Sequence, residues 1–211
     1  VSDQSYDLIV IGSGPAGQKG AICAAKLRKR VAMVDRTLMM GGVCVHTGTI
    51  PSKSVREAIF QLTGIAVRTF YGSNYRGKGE VSILDLASRV TNIVSRETEV
   101  IRAQLRRNGV AIYQGMAHFA DANSIEVNGE SEKVTLRGEH ILIACGTRPA
   151  RSSDIPFDGN RIIDTDEFTC IGSLPREIVV VGAGVVGLEY ASFMAAVGAE
   201  VTLIDQRPVI L

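Results

Sequence analysis

The sequence predicts an α/β protein of three layers, built on two βαβ units with an antiparallel β-meander inserted between them. Three observations predict it. First, "YDLIVIGSGPAGQKGA" near the start returns as "EIVVVGAGVVGLEYAS" near the end. Each copy is an apolar run of strand length, then G-x-G-x-x-G, then a helix rich in small residues. Second, each copy is followed by another apolar strand ending in an acid, "VAMVDR" to Asp35 and "VTLIDQR" to Asp205. In both the acid stands eighteen residues past the third glycine (17 to 35, 187 to 205). Third, the alternating runs "VAIYQG", "SIEVNG" and "KVTLRG" are separated by turn residues and read as antiparallel ribbons.

The elements follow in order. The polar start "VSDQSYD" runs straight into the first strand and shows no signal-peptide pattern. After the first βαβ unit, "PSKSVREAIFQLTGIAVRTF" reads as a helix opening at Pro51, where a missing N–H costs nothing. "YGSNYRGKG" is a Gly-rich polar loop. From Asp85 to Arg107 the spacing predicts a long amphipathic helix with a stripe of Leu86, Val90, Ile93/Val94, Val100/Ile101 and Leu105, interrupted at Glu97 and stopped by Asn108-Gly109. The ribbons come next. "EHILIACGTRPA" reads as a buried strand entering a turn, Pro149 to Gly159 as a linker, and the second βαβ unit opens near Arg176.

The bulk numbers exclude several classes. The chain has 211 residues, 45% of them hydrophobic, enough for one sizeable core or two small ones. Lys+Arg total 23 against 22 Asp+Glu, with no basic tract to bind nucleic acid. No apolar run approaches the roughly 20 residues of a membrane span. The four cysteines, Cys23, Cys44, Cys145 and Cys170, are widely spaced, which fits reduced thiols in a cytoplasmic protein. His46, His118 and His140 do not fall at ligand spacing with cysteines, so no metal site is assigned.

Both glycine motifs have Rossmann-like chemistry. In "GSGPAG", Gly12 makes the tight turn, Gly14 lets a pyrophosphate approach the backbone, and Gly17 lets helix and strand pack closely. Pro15 and Ala16 open the helix, whose free N–H groups and dipole face the phosphates. Asp35 can accept both hydroxyls of an adenosine ribose. In "GAGVVG", Gly182, Gly184 and Gly187 take the same parts, Val185 and Val186 open the helix, and Asp205 closes the second strand. Asp205 disfavours a 2′-phosphate. Arg207, two residues on, can swing to one, so the site is open to NAD and NADP alike. Arg207 reads equally well as a solvated surface residue.

Between the two motifs stand "GGVCVHTGTIPSK" and "ACGTRP". With the two flanking dinucleotide motifs they resemble the flavoprotein disulfide reductases, the class I pyridine nucleotide-disulfide oxidoreductases, over all 211 residues. The resemblance implies that the first motif binds FAD and the second NAD(P)H. It implies domains at residues 1–150 (N-terminal part of the FAD-binding domain) and 151–211 (start of a truncated NAD(P)-binding domain), with a C-terminal dimerisation domain absent. Where the family's redox pair has its second cysteine, this chain has Thr49. Without that sulfur Cys44 cannot close the family's disulfide, and no electron pair can leave by dithiol exchange. The branch that reads nearest to Cys44, His46, Gly48, Thr49, Ile50, Pro51, Ser52 and Lys53 is that of the soluble, Si-specific pyridine nucleotide transhydrogenases. The implied activity is reversible hydride transfer from NADPH to NAD+ through flavin N5.

The same resemblance implies roles residue by residue. Lys53 lies beside flavin N5, and Glu189 in "GLEYAS" reaches it from the NAD(P) side. Thr49 is placed near the flavin. Gly42, Val43 and Cys44 line the FAD pyrophosphate and ribityl, with Gly48 and Arg36 beside them. Gly115 and Ala117 in "QGMAHF" meet the adenine, and Ala144, Cys145 and Gly146 form the turn beside FAD, with Cys145 where the family has Thr. Cys44 reads first as a small packing residue and second as a redox-sensitive thiol; His46 reads as structural.

Two further readings stand beside this one. One is an NAD(P)H diaphorase of dihydrolipoamide dehydrogenase type that has lost its dithiol. The other is a non-catalytic FAD-binding module, which the absence of a Lys53–Glu189 contact would favour. The resemblance also implies that the full-length protein is a homo-oligomer, and that residues 1–211 alone hold FAD weakly and are inactive.

Overall fold

The computed structural model describes residues 4–36, 40–64, 83–130, 133–208 and 210. The chain packs as two compact units, residues 1–46 with 94–148 and residues 47–93 with 149–211.

The first unit is built on β1 (Gln4–Ile11), helix α1 (Pro15–Lys26) and β2 (Val31–Asp35), the expected βαβ. After them come a short helix α2 (Gly42–His46) and four more strands, β3 (Ala111–Gln114), β4 (Met116–Phe119), β5 (Ser124–Asn128) and β6 (Lys133–Ile143). The six strands form one sheet in the order β3-β2-β1-β6-β5-β4. β3, β2, β1 and β6 run parallel, while β4, β5 and β6 form an antiparallel meander. Strand periodicity builds the layers. Val10 of β1 points at α1, as its contact with Gly17 shows. Ile9, with Ala32 and Val34 of β2, points the other way and meets Ile125, Val127 and Leu136 of the meander. All six are buried, so truncating Ile9, Ile125 or Leu136 to Ala leaves a cavity and costs about 2–5 kcal/mol. Helix, parallel strands and meander are the three layers the sequence predicts.

Several local expectations need correcting. "VAIYQG" is not part of an antiparallel ribbon: β3 runs parallel beside β2, because a crossover helix precedes it and alternation alone carries no strand direction. The ribbon's outer strand is "MAHF", which follows the break at Gly115. "KVTLRG" and "EHILIA" are one strand, β6, of 11 residues, with Gly138 inside it where a Cβ would crowd Ile9 at 2.9 Å. The strand is not buried throughout, since Leu142 and Ile143 at its end are exposed.

Helix α3 (Thr49–Thr63) opens two residues before Pro51, which sits in its first turn, and ends at Gly64 with φ 69°. The expected continuation over 65–70 and the loop over 71–79 lie outside the described residues. Helix α4 (Ile83–Arg107) is the predicted long helix. Val90, Ile101 and Leu105 are buried, but Val100 is exposed, so Ile101 alone holds that turn of the stripe.

The second unit carries β7 (Glu177–Val181), helix α5 (Val185–Ala196) and β8 (Glu200–Ile204), with the two strands parallel. Helix α5 packs on both strands and on α3. It buries Tyr190, Ala191, Phe193 and Met194, and the Tyr190 ring meets Phe168 edge-on at 4.7 Å. The other face of the strand pair is exposed: Val179 at 59%, Val181 at 81% and Ile204 at 49%. Before it, Arg151 bonds Asp164 (2.7 Å) and Glu167 (2.9 Å), fastening the 149–164 segment to a 3-10 turn at Thr165–Cys170.

Candidate functional site: two matched nucleotide cradles

Each βαβ unit builds the same cradle. In the first, Gly12 has φ 107°, and a Cβ there would lie 2.2 Å from the Ala144 carbonyl oxygen. A Cβ on Gly17 would lie 1.9 Å from the Gly12 oxygen. In the second, Gly182 has φ 105° and a Cβ on Gly187 would lie 1.9 Å from the Gly182 oxygen. These four glycines are therefore demanded by the chain itself. Gly14 and Gly184 are not. Their φ values are −63° and −75°, and a Cβ at either would meet nothing within 4 Å. The side-chain-free position faces open space in both copies, which fits an approaching ligand backbone rather than internal packing. Gly14 and Gly184 are also the N-cap residues of α1 and α5, and no side chain caps either helix. The leading N–H groups and the positive dipole end are thus left for an anion.

The acid at the second strand's end faces the turn in both copies. The Ser13 N–H donates to Asp35 Oδ2 at 2.6 Å, and the Ala183 N–H donates to Asp205 Oδ2 at 2.6 Å. The copies then differ. Asp35 also accepts from the Ser13 hydroxyl and, on Oδ1, from the Arg36 N–H at 2.6 Å. Ser13 is fully buried, and its oxygen accepts the Gly41 N–H at 2.9 Å. Asp205 instead accepts from Arg207: its backbone N–H at 2.8 Å, Nε at 3.0 Å and Nη2 at 3.1 Å. The guanidinium and the two backbone N–H groups hold the Asp205 carboxyl well below the usual carboxylate range.

The structure gathers many of the predicted residues around the first cradle. The Cβ position of Gly42 is 3.2 Å from the Gly14 Cα, so the head of α2, with Val43 and the half-buried Cys44, lies against the glycine turn. Ala144 is bonded through its N–H to Ile11 at 2.8 Å, with Cys145 and Gly146 following it into solvent. The Gly115 N–H donates to the Asp35 carbonyl at 2.9 Å, while Ala117 is half-buried in β4. Arg36 is exposed. His46 Nε2 bonds the Met40 carbonyl at 3.0 Å, tying the ends of its own loop. Cys23, Cys44 and Cys145 are free thiols.

Gly48, Thr49 and Lys53 belong to the second unit, where Gly48 caps α3 and Thr49 and Lys53 are exposed. Val185 and Val186 are exposed at the head of α5, and Glu189 is half-buried one turn on. Burial, and secondarily the Glu189 charge, push the Tyr190 phenol up to about 12. Although α3 packs on α5, no ion pair joins Lys53 to Glu189 among the described residues. The sequence gives no warning of Ser13. It is an "x" in G-x-G-x-x-G, and nothing in the pattern says where its hydroxyl points.

Two βαβ units, each with an open glycine, an uncapped helix and a strand-end acid, give the FAD/NAD(P)-binding oxidoreductase fold. The chain belongs to the pyridine nucleotide-disulphide oxidoreductase family, whose model matches residues 6–211. It is 50% identical over 206 residues to a soluble pyridine nucleotide transhydrogenase of Mycobacterium tuberculosis, covering 97% of this chain and 44% of that protein. A soluble pyridine nucleotide transhydrogenase of Pseudomonas fluorescens is 40% identical over 209 residues, covering 96% and 44%. Among solved structures, LpdA from Mycobacterium tuberculosis superposes with a TM-score of 0.87 at 23% identity, covering 99% of this chain and 46% of that one. The HOCl-induced flavoprotein disulfide reductase RclA from Escherichia coli gives 0.80 at 24%, covering 98% and 43%. These structures share the fold. The chain thus spans less than half the length of the relatives it matches. No described helix is long and apolar enough to cross a membrane.

Proposed function

We propose that the full-length protein is an FAD-dependent, Si-specific NAD(P)+ transhydrogenase that moves a hydride reversibly between NADPH and NAD+ without a redox-active disulfide. The observation that carries this reading is the pair of matched cradles, each open at one glycine that packing does not require, in a chain 50% identical to soluble transhydrogenases. Bound FAD would supply N5, which takes a hydride from one nicotinamide and returns it to another.

The chain's own residues bind and orient. Gly14 and the head of α1 receive the FAD pyrophosphate, Asp35 the ribose, and Gly42 to Cys44 flank them. Gly184 and the head of α5 receive the NAD(P) pyrophosphate, with Asp205 and Arg207 at its ribose. Thr49, where a second thiol would stand, leaves Cys44 without a partner for dithiol exchange, and Cys44 is a free thiol. Lys53 brings a positive charge that stabilises the reduced cofactor. One site serving both nucleotides in turn gives ping-pong kinetics. Because the chain spans 44% of its relatives, the activity is proposed for the full-length, oligomeric, cytoplasmic protein, and residues 1–211 alone are proposed to be inactive.

The test is thio-NAD+ reduction by NADPH with the purified, FAD-loaded, full-length protein, run beside dye and quinone reduction. Thio-NAD+ reduction with parallel-line kinetics supports the reading, and dye reduction alone points to a diaphorase. Uptake of two electrons beyond those of the flavin, held in a cystine of Cys44, would sink it. That no ion pair joins Lys53 to Glu189 among the described residues favours a second reading, a non-catalytic FAD-binding module, which predicts FAD binding with no NADPH oxidation toward any acceptor.

A further inference from the structure

We propose that Arg207 decides how one pocket admits both dinucleotides: closed on Asp205 it receives the 2′-phosphate of NADP(H), and it must open to admit the ribose diol of NAD(H). The inference rests on the reading that the second cradle binds NAD(P).

The argument is a count of hydrogen-bond positions. A carboxylate offers about two acceptor positions on each oxygen. Asp205 Oδ2 is taken by the Ala183 N–H at 2.6 Å and Arg207 Nη2 at 3.1 Å. Oδ1 is taken by the Arg207 N–H at 2.8 Å and Nε at 3.0 Å. The carboxylate is full. An unphosphorylated adenosine ribose must donate its hydroxyls to this acid. Two of the four donors are backbone groups, Ala183 in the glycine turn and Arg207 in the bend after β8, and cannot leave without undoing the local backbone. The other two are on one guanidinium whose side chain is 51% exposed. Only that fork can give way, so NAD(H) enters by displacing Arg207.

The phosphorylated ribose meets the opposite situation. Its 2′-phosphate can only accept, and a bare carboxylate would repel it. The closed pair removes that obstacle. Arg207 cancels the charge of Asp205 and, of the guanidinium's five N–H donors, spends two on the carboxylate and keeps three for phosphate oxygens. NADP(H) therefore binds the pair as it stands. Opening the pair costs little because its cation is exposed, and a buried pair in its place would shut NAD(H) out. The first cradle is the internal contrast: Asp35 accepts no guanidinium among the described residues, its extra donor being the fixed Ser13 hydroxyl.

The experiment uses the full-length protein. NADPH and NADH are titrated by fluorescence, and adenosine 2′,5′-bisphosphate and AMP by competition, so that binding is read without hydride transfer. In Arg207→Ala, Kd for NADPH and for the bisphosphate rises at least tenfold, while Kd for NADH and AMP is unchanged or falls. Arg207→Lys, with one ammonium and no fork, recovers only part of the NADPH loss. Asp205→Asn weakens NADH and spares NADPH. Equal changes for both nucleotides in Arg207→Ala, or none, overturn this inference alone. Wild-type protein that binds neither nucleotide overturns the reading of the second cradle with it.

Discussion

Replacing Ser13 by Ala tests the first cradle most directly. Ser13 is fully buried; its hydroxyl donates to Asp35 and accepts the buried Gly41 N–H at 2.9 Å. The substitution deletes one oxygen and leaves the Gly41 N–H without that acceptor, which costs about 1–3 kcal/mol. It also removes a hydrogen bond to a charged group, worth about 1.5–3 kcal/mol. The two losses share one atom and do not add, so about 2–3 kcal/mol is expected in all. The turn itself should survive, because Ala183 occupies the matching place in the second unit and makes the same 2.6 Å bond from its backbone to Asp205. The full-length apoprotein is more than twice as long as this chain if it matches its relatives, so a loss of this size lowers its melting temperature by about 2–3 °C, at about 1 °C per kcal/mol for a chain of that size. Asp35 and the 41–46 turn lose their common anchor, so Kd for FAD should also rise about tenfold. The assays are calorimetric melting without FAD and flavin fluorescence titration. A variant melting within a degree of wild type and holding FAD equally well would refute the idea that this hydroxyl positions anything.

Other outcomes follow from the same geometry. Gly14→Ala meets no atom within 4 Å and should fold with unchanged or slightly raised stability while losing at least tenfold in FAD affinity. Gly17→Ala, with its Cβ 1.9 Å from the Gly12 oxygen, should give insoluble protein, and thermal melts with flavin titration separate the two cases. Arg28 ends α1 with φ 61°, in a cap with Lys29 N–H bonded to the Ala24 oxygen at 3.1 Å, where the second unit has Gly198 at φ 95°. Arg28→Gly should therefore stabilise by about 0.5–1 kcal/mol in chemical denaturation; a lower midpoint would contradict the reading. Lys53→Ala should slow flavin reduction by NADPH in stopped flow, and an unchanged rate would remove Lys53 from the chemistry.

What was legible in the sequence was whatever the chain repeats or does locally. Gly12 and Gly17 crowd each other across a turn of six residues, so their spacing exposes them, and the strand-end acids follow at a distance fixed by one helix and one strand. The direction of β3 was not legible, because parallel and antiparallel strands alternate alike and only the preceding crossover decides. Gly138 suggested a break where the strand continues, since the same lack of a side chain serves a turn or a close approach to Ile9. Ser13, and the partner that Arg207 takes, were hidden for a different reason. The partners of a polar side chain depend on a third dimension that spacing does not record: Ser13 reaches back to the Gly41 turn, while Arg207 folds onto its own neighbour rather than outward.

That last difference has a bearing on time. The two cradles share one backbone plan, yet one carboxylate is clamped by a hydroxyl sealed inside the protein and the other by a half-exposed guanidinium. An immobile clamp suits a tenant that stays through many turnovers; a hinged one suits a visitor that arrives and departs in each. Under the proposed roles, long residence at one cradle and brief residence at the other rest on two differences: a serine against an alanine after the first glycine, and Arg207 on the second acid.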